Sequence, residues 1–461
     1  MDVRFGTDGI RGVANADLGV ELVLALGRAA ARVLPAGCFV VGRDTRRSGP
    51  LLQSALSVGL ASEGADVVDV GVLPTPAVAW LSAERAVPAA VVSASHNLFA
   101  DNGVKLFAAG GSKLSDATEE SVEAELERIL SGSASGSGSG HAVRPTGRAV
   151  GELSVDTQAA ESYVEHLVSL AGRADLSGLH VVVDCANGAA STVAPAVLRR
   201  LGARVDPVSD RPDGTNINAG CGSTHPEALA AEVRARGADV GLALDGDADR
   251  LVAVDHHGEL VTGDELLAMF ALDLAARGEL AGHAVVVTVM SNLGLRLAME
   301  AHGIAVRETP VGDRYVLEAL EADGLALGGE QSGHIVFRRL STTGDGTLTG
   351  VLLLELLARA GRPLAELARG SMQRLPQVLQ SVSVERPTAV VESDPVRKEL
   401  DAVRLALGES GRVVLRASGT EPVVRVMVEA TDQKTAVESA ERLVQTVTSV
   451  AEAEARRPLS P

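Results

Sequence analysis

Three carboxylates stand at alternate positions in VGLALDGDADRLVAVD (Val240–Asp255): Asp245, Asp247 and Asp249 follow the apolar run Val240–Leu244. In an extended loop, alternate side chains lie on one side. Like charges this close repel unless a cation neutralises them, and hard oxygen ligands suit Mg²⁺ or Ca²⁺. An EF-hand loop does not fit. Counted from Asp245, its sixth position would be Arg250 rather than glycine, and its twelfth His256 rather than glutamate. The plainer alternative is an Asp/Gly-rich turn.

Five further stretches carry chemistry-bearing residues. In VVSASHNLFADNGVKLF (Val91–Phe107), Ser95 ends a β-branched run in a small-residue turn, where a nucleophile could sit. No G-x-S-x-G elbow surrounds it, which argues against a serine hydrolase, and a turn-capping serine is the alternative. Lys105 follows in an apolar setting. In RASGTEPVVR (Arg416–Arg425), Ser418, Gly419 and Thr420 could turn their N–H groups and hydroxyls toward an anion, with Arg416 and Arg425 adding bidentate contacts. An ordinary hairpin with surface arginines is equally compatible. In LGGEQSGHIVF (Leu327–Phe337), Glu330, Ser332 and His334 alternate among glycines that allow close approach, a pattern suited to sugar hydroxyls or to a polar β-bulge. FGTDGIRG (Phe5–Gly12) and GRDTRRSG (Gly42–Gly49) place Arg11 and Arg43 in glycine-flanked loops, where either could equally be solvated.

The elements that must position these residues repeat. CFVVGRDTRRSG runs into PLLQSALSVGLASEG and ADVVDVGVLP. HVVVDCANGAAS runs into TVAPAVLRRLG and ARVDPVSD, and AVVVTVMSNLG into LRLAMEAHG and IAVRETPVGD. Each copy reads as valine-rich strand, polar loop, amphipathic helix closed by glycine, and second strand. Three copies predict an α/β chain of three tandem related α/β domains. The final stretch reads as strand, hairpin and helix, a smaller α+β C-terminal domain. The predicted domains are 1–158, 159–257, 258–372 and 373–461. Ser131–Gly147 is a flexible, exposed Gly/Ser segment in the first.

Composition narrows the classes. The 461 residues are 46% hydrophobic but only 2% aromatic, which suits helices packed on buried parallel strands. A net charge of −18 without a basic block disfavours nucleic acid, so an anionic substrate needs local arginines and backbone N–H groups. Cys38, Cys185 and Cys221 form no disulfide framework, which points to a reducing cytoplasm. No signal-peptide apolar region opens the chain, and no apolar run reaches membrane-span length.

FGTDGIRG, SASHN with DNGVK, DGDADR, GEQSGH and RASGTEP occur in this order across nearly the whole chain. In this the sequence resembles the α-D-phosphohexomutase superfamily. DGTNINAGCGSTHPE (Asp213–Glu227), VGDRYV (Val311–Val316) and TTGDGTLTG (Thr342–Gly350) make it most similar to the branch that handles glucosamine phosphates. The resemblance implies four domains around a central cleft. It implies that Ser95 is a phosphoserine whose phosphate oxygen, with Asp245, Asp247 and Asp249, binds one Mg²⁺. Lys105 and Arg11 would serve proton transfer and charge stabilisation. Arg250 would line the cleft. Glu330 and Ser332 would hold sugar hydroxyls with His334 nearby, and Arg416, Ser418, Gly419, Thr420 and Arg425 would bind the phosphate that is not reacting.

The implied reaction moves a phosphate between O6 and O1 of glucosamine through a hexosamine 1,6-bisphosphate, which also primes Ser95. The product feeds UDP-N-acetylglucosamine and cell-wall precursors. The fourth domain would act as a lid, and a homodimer would form through the first. Two departures stand out. Leu98 replaces the proline usual after SHN, and Ala248 stands where glycine is common in DGDADR. The rival readings are a phosphomannomutase/phosphoglucomutase of broader sugar choice and a catalytically silent sugar-phosphate-binding protein. The retained Ser95, Lys105 and aspartates argue against silence.

Overall fold

The computed structural model describes residues 5–6, 9–34, 36–131, 144–172, 175–418 and 422–455. Gly419, Thr420 and most of the Ser131–Gly147 segment lie outside the described residues. The chain packs as two compact units: Met1–Thr288 with Arg307–Arg369, and Val289–Val306 with Gly370–Pro461. Among the described residues no helix is long and apolar enough to cross a membrane.

In the first unit the valine-rich runs become buried strands, as their composition requires. A six-stranded sheet has the order Ile10–Val13, Asp101–Phe107, Ala89–Val92, Cys38–Arg43, Asp66–Val72 and Leu153–Val155. Its last four strands are parallel, whereas Asp101–Phe107 runs antiparallel to both neighbours. That reversal makes 93–100 a connection between adjacent strands and sets Val91 opposite Lys105 and Arg11 opposite Gly103. Paired and alternate residues share a face, so Arg11 and Lys105 project on the same side. Gly103 makes room there: a Cβ would lie 2.6 Å from the Ser93 carbonyl oxygen and 3.0 Å from Arg11 Cγ.

A five-stranded sheet follows, in the order Leu260–Val261, Leu251–Asp255, Val240–Leu244, His180–Asp184 and Arg204–Val208. Val240–Leu244 and Leu251–Asp255 pair antiparallel with Leu244 opposite Leu251, so 245–250 is a hairpin connection. This corrects the expected extended loop. The backbone turns through Gly246–Asp249, with Ala248 in the left-handed region at φ 58°, and the carboxylates converge by curvature rather than by alternation. In the third lobe, Leu327–Gly329 and Ile335–Phe337 pair antiparallel with Gly329 opposite Ile335, so Glu330–His334 is again a strand-to-strand loop.

The second unit has a three-stranded antiparallel sheet, Gln377–Ser383, Val423–Glu429 and Arg412–Ala417. The predicted strand, hairpin and helix are present, the helix being Gln433–Ala455. Sequence reasoning missed a further helix, Asp394–Leu407, which buries Val396, Val403 and Leu407. The helix of the third repeat, Leu293–Ala301, packs in this unit. Asn292 exchanges hydrogen bonds of 3.0 Å with the backbone of Leu375, and the Leu293 N–H donates to Glu429.

The helices Val20–Val33 and Gly49–Ser62 meet at two glycines. A Cβ at Gly27 would lie 2.4 Å from the Leu56 carbonyl oxygen, and one at Gly59 would lie 2.3 Å from that of Leu24. No rotamer relieves a backbone clash. Gly59→Ala should therefore lose about 1–3 kcal/mol of stability despite alanine's helix preference of ~1 kcal/mol. Denaturant unfolding checks this, and activity per folded molecule should hold because no candidate site residue lies at that crossing.

Candidate active site

Ser95 is fully buried and left-handed, at φ 51°. Its Oγ donates to Asp245 Oδ2 at 2.6 Å and lies 3.4 Å from His96 Nδ1. Its N–H donates to Ser93 Oγ, which in turn donates to Asp44 Oδ2. The carboxylate loop lies directly on the serine loop. A Cβ at Gly246 would come 2.6 Å from the Ser95 carbonyl oxygen, so only glycine permits the approach.

Asp245, Asp247 and Asp249 are buried, and each offers a carboxylate oxygen within 4.8 Å of the others. Asp247 Oδ2 accepts from Thr75 Oγ1 at 2.6 Å and from Lys105 Nζ at 2.9 Å. Lys105 also reaches Asp249 Oδ2 at 3.2 Å. Burial, then Asp249 and Asp247, push the Asp245 carboxyl well above the usual range. Burial opposes ionisation of Asp249 too, but Lys105, His334 and Arg250 hold it well below that range. Asp247 Oδ1 and Asp249 Oδ1 are buried and accept no hydrogen bond. Orphaned hard oxygens beside a strained set of like charges fit a divalent cation such as Mg²⁺.

Charged groups surround the triad. Arg11 Nη1 reaches the Ala94 carbonyl at 3.4 Å. Arg250 donates from its backbone N–H to Asp245 Oδ1 at 3.2 Å, and its Nη1 lies 3.1 Å from His96 Nδ1. Burial, Arg250 and Arg11 bring His96 down to about 4, so it is neutral at pH 7 and accepts from Arg250. His334 is buried behind the triad, its Nδ1 3.8 Å from Asp249 Oδ2 and its Nε2 3.8 Å from Asp313 Oδ2. Burial resists its charging, yet Asp249 and Asp313 raise its pKa overall. The Gly344 N–H points at Nε2, which favours a proton on Nδ1 facing Asp249. Glu330 and Ser332 differ from this histidine. Glu330 is part-buried, accepting from the Gly312 N–H at 3.1 Å, and Ser332 is exposed.

The first unit thus brings together Arg11, Ser95, Lys105, the aspartates, Arg250 and His334. Arg43 is elsewhere, in a groove beside Pro50 and Val155. In the second unit Arg416 and Arg425 face each other across adjacent strands. Burial and Arg425 lower the pKa of Arg416, as expected for two like charges directly opposite each other. The Ser418 N–H closes the hairpin onto the Val423 carbonyl at 2.9 Å. Sequence reasoning missed Thr75, Asp44, Arg46 and Asn218. Thr75 had a weak signal, since VLPTP ends a strand where a helix N-terminus begins.

Three α/β lobes with a carboxylate loop laid on a buried serine define a phosphohexomutase-type architecture, and sequence profiles agree. Those of the phosphoglucomutase/phosphomannomutase α/β/α domains I, II and III match residues 2–132, 161–258 and 262–375, and that of the C-terminal domain matches 379–446. The phosphoglucosamine mutase of Acidothermus cellulolyticus is 54% identical over 453 residues, covering 96% of this chain and 95% of its own. That of Thermobifida fusca is 53% identical over 456 residues, covering 97% and 98%. The crystal structure of a phosphoglucomutase/phosphomannomutase family protein from Burkholderia thailandensis superposes with TM-score 0.78 at 27% identity, covering 96% of this chain and 97% of its own. The chain belongs to the phosphoglucosamine mutase family.

Support for the carboxylate loop comes from Asp345, the N-cap of the helix Gly346–Ala360. The Gly346 N–H donates to the Ala248 carbonyl at 2.9 Å, and Tyr163 Oη donates to Asp345. Burial lifts the Asp345 carboxyl to about 6, against the Leu348 N–H and Tyr163, which favour its charged form. The folded state therefore holds this proton to higher pH than the unfolded state. Its stabilisation is full below pH ~4 and lost as pH rises through ~6. Asn keeps a capping acceptor and removes the titration. Between pH 4 and 7 the native protein should lose up to about 3 kcal/mol that Asp345→Asn does not, read by denaturant unfolding at each pH.

Proposed function

We propose that the chain interconverts glucosamine 6-phosphate and glucosamine 1-phosphate, with Ser95 as phosphoryl carrier. The observation that carries this is the Ser95 Oγ donating to Asp245 at 2.6 Å, at the rim of the buried triad. Phospho-Ser95 passes its phosphoryl to O1 of the substrate: the Oγ–P bond breaks, the O1–P bond forms, and the O1 proton leaves to a nearby base. The resulting 1,6-bisphosphate turns over, and the phosphoryl on O6 returns to Ser95. Such transfer depends on in-line placement and charge neutralisation more than on covalent chemistry.

Asp245, Asp247 and Asp249, with an oxygen of the seryl phosphate, would hold Mg²⁺, which when bound polarises the phosphoryl group. Lys105, held as an ammonium between Asp247 and Asp249, and Arg11, on the same sheet face, stabilise negative charge on the transferring group. Arg250 keeps His96 in place beside Ser95. Glu330 and Ser332 take sugar hydroxyls, while His334 faces Asp249 from behind the triad. Arg416, Ser418 and Arg425, with Gly419 and Thr420, grip the phosphate that is not reacting. Their donors recognise phosphate rather than sugar, so either end of the bisphosphate suits them. Work in the cytoplasm, on the path to UDP-N-acetylglucosamine, and a homodimer formed through the first domain belong to the same reading.

Ser95→Ala should abolish turnover in a coupled mutase assay with Mg²⁺ and a trace of bisphosphate; normal activity in that variant would falsify the mechanism. Intact-mass spectrometry should find one phosphate on the native protein and none on Ser95→Ala. Chelation with EDTA should stop turnover and added Mg²⁺ restore it. The kcat/KM for glucosamine 6-phosphate should exceed that for glucose and mannose 6-phosphates, and equal values would favour the broader mutase.

A further inference from the structure

Arg46 is the largest side chain buried to less than 2% exposure, and its hydrogen bonds converge on one short segment. A guanidinium has five N–H donors in a rigid fork. Nε donates to Asp44 Oδ2 at 2.8 Å. Nη1 donates to the carbonyls of Leu98 and, at 3.1 Å, Asp101. Nη2 donates to the carbonyls of Ser95 at 2.9 Å and Asn97 at 2.8 Å. Every donor is used, and all but one go to the loop that carries Ser95.

Asn218 approaches the same carbonyls from the second lobe. Its Nδ2 donates to Ser95 O at 2.8 Å and Asn97 O at 2.9 Å. A carbonyl oxygen has two lone pairs. Those of Ser95 and Asn97 are therefore saturated, one donor from each lobe. Asn218 is itself left-handed, at φ 57°, in the Asp213–Glu227 stretch.

We infer that Arg46 and Asn218 are positioning residues that clamp the backbone carbonyls of residues 95–101 and so aim Ser95 Oγ for phosphoryl transfer. The inference rests on the reading of Ser95 as the carrier. Neither side chain bonds to Oγ or to the carboxylate triad. Their contribution passes through the backbone, by holding Ser95 in a left-handed conformation that an L-residue adopts only under constraint. Asp44 orients the fork: it accepts from Arg46 Nε and N–H and from Ser93 Oγ, and Ser93 Oγ accepts the Ser95 N–H. Lysine would keep the charge with three donors on a flexible stem and no planar fork.

The test sets Arg46→Lys and Asn218→Ala beside Ser95→Ala, in the full chain. Because the clamp holds the reacting atom rather than the substrate, kcat should fall about 100-fold in both clamp variants with KM nearly unchanged. Single-turnover transfer from the phosphorylated variants to glucosamine 6-phosphate should slow by the same factor, while melting temperature shifts little in Asn218→Ala, because each carbonyl keeps its bond from Arg46. If Ser95→Ala is dead but both clamp variants keep native kcat, this inference alone fails. If Ser95→Ala stays active, the carrier reading fails and the clamp has no nucleophile to aim. Should Arg46→Lys not fold, Asn218→Ala decides: a kcat loss at constant KM supports the clamp, and native kcat or a parallel collapse of kcat, KM and melting temperature overturns it.

Discussion

Mutual repulsion among Asp245, Asp247 and Asp249 is the constraint around which the first unit is organised. Buried carboxylates within 4.8 Å of one another cannot all ionise unless positive charge is brought to them. Lys105 from the first lobe and Arg250 from the second bring it, and His334 from the third turns its Nδ1 toward Asp249. The opposite pKa displacements of Asp245 and Asp249 express the same tension, because the charges available from the chain settle on one end of the set. A divalent cation beside the orphaned oxygens of Asp247 and Asp249 would relieve the remainder.

Placing such a charge is useful only if the group it acts on is equally fixed. The serine loop lacks one stiffener: Leu98 stands where a proline would preset φ, and both Leu98 and Phe99 are exposed. Besides its own bonds, such as Asn97 Nδ2 to Asp101, it is held from outside by donors that fill its carbonyls and by Gly246, which lets the carboxylate loop rest on it. One lobe alone could not do this. The serine loop lies between an arginine of its own lobe and an asparagine of the next.

The parts of this arrangement legible in the sequence were those encoded locally. Valine-rich runs, glycine stops and their threefold recurrence gave the tandem α/β organisation, and the aspartate spacing located the buried carboxylate cluster. The reason behind that spacing was misread, because a hairpin with left-handed Ala248 and an extended strand look alike in a string of residues. The helix Asp394–Leu407 carries its apolar positions at helical intervals and was open to the same reading. Arg46 was not, since an arginine in a polar loop resembles a solvated one until residues 95–101 fold over it. Likewise nothing in the sequence joins Tyr163 to Asp345, which meet across the fold and together support Ala248 from behind.

The contribution of groups from three lobes also bears on how the chain is made. Synthesis delivers Ser95 and Lys105 long before Asp245, and His334 later still. Contacts this distant in sequence form late, after the local elements. Until then Lys105 lacks its bonds to Asp247 and Asp249, and the serine loop has no carboxylate loop resting on it. A nascent chain therefore holds the lysine and the serine but not the assembled cluster. With its groups divided among three lobes, that cluster exists only once the first unit has finished folding.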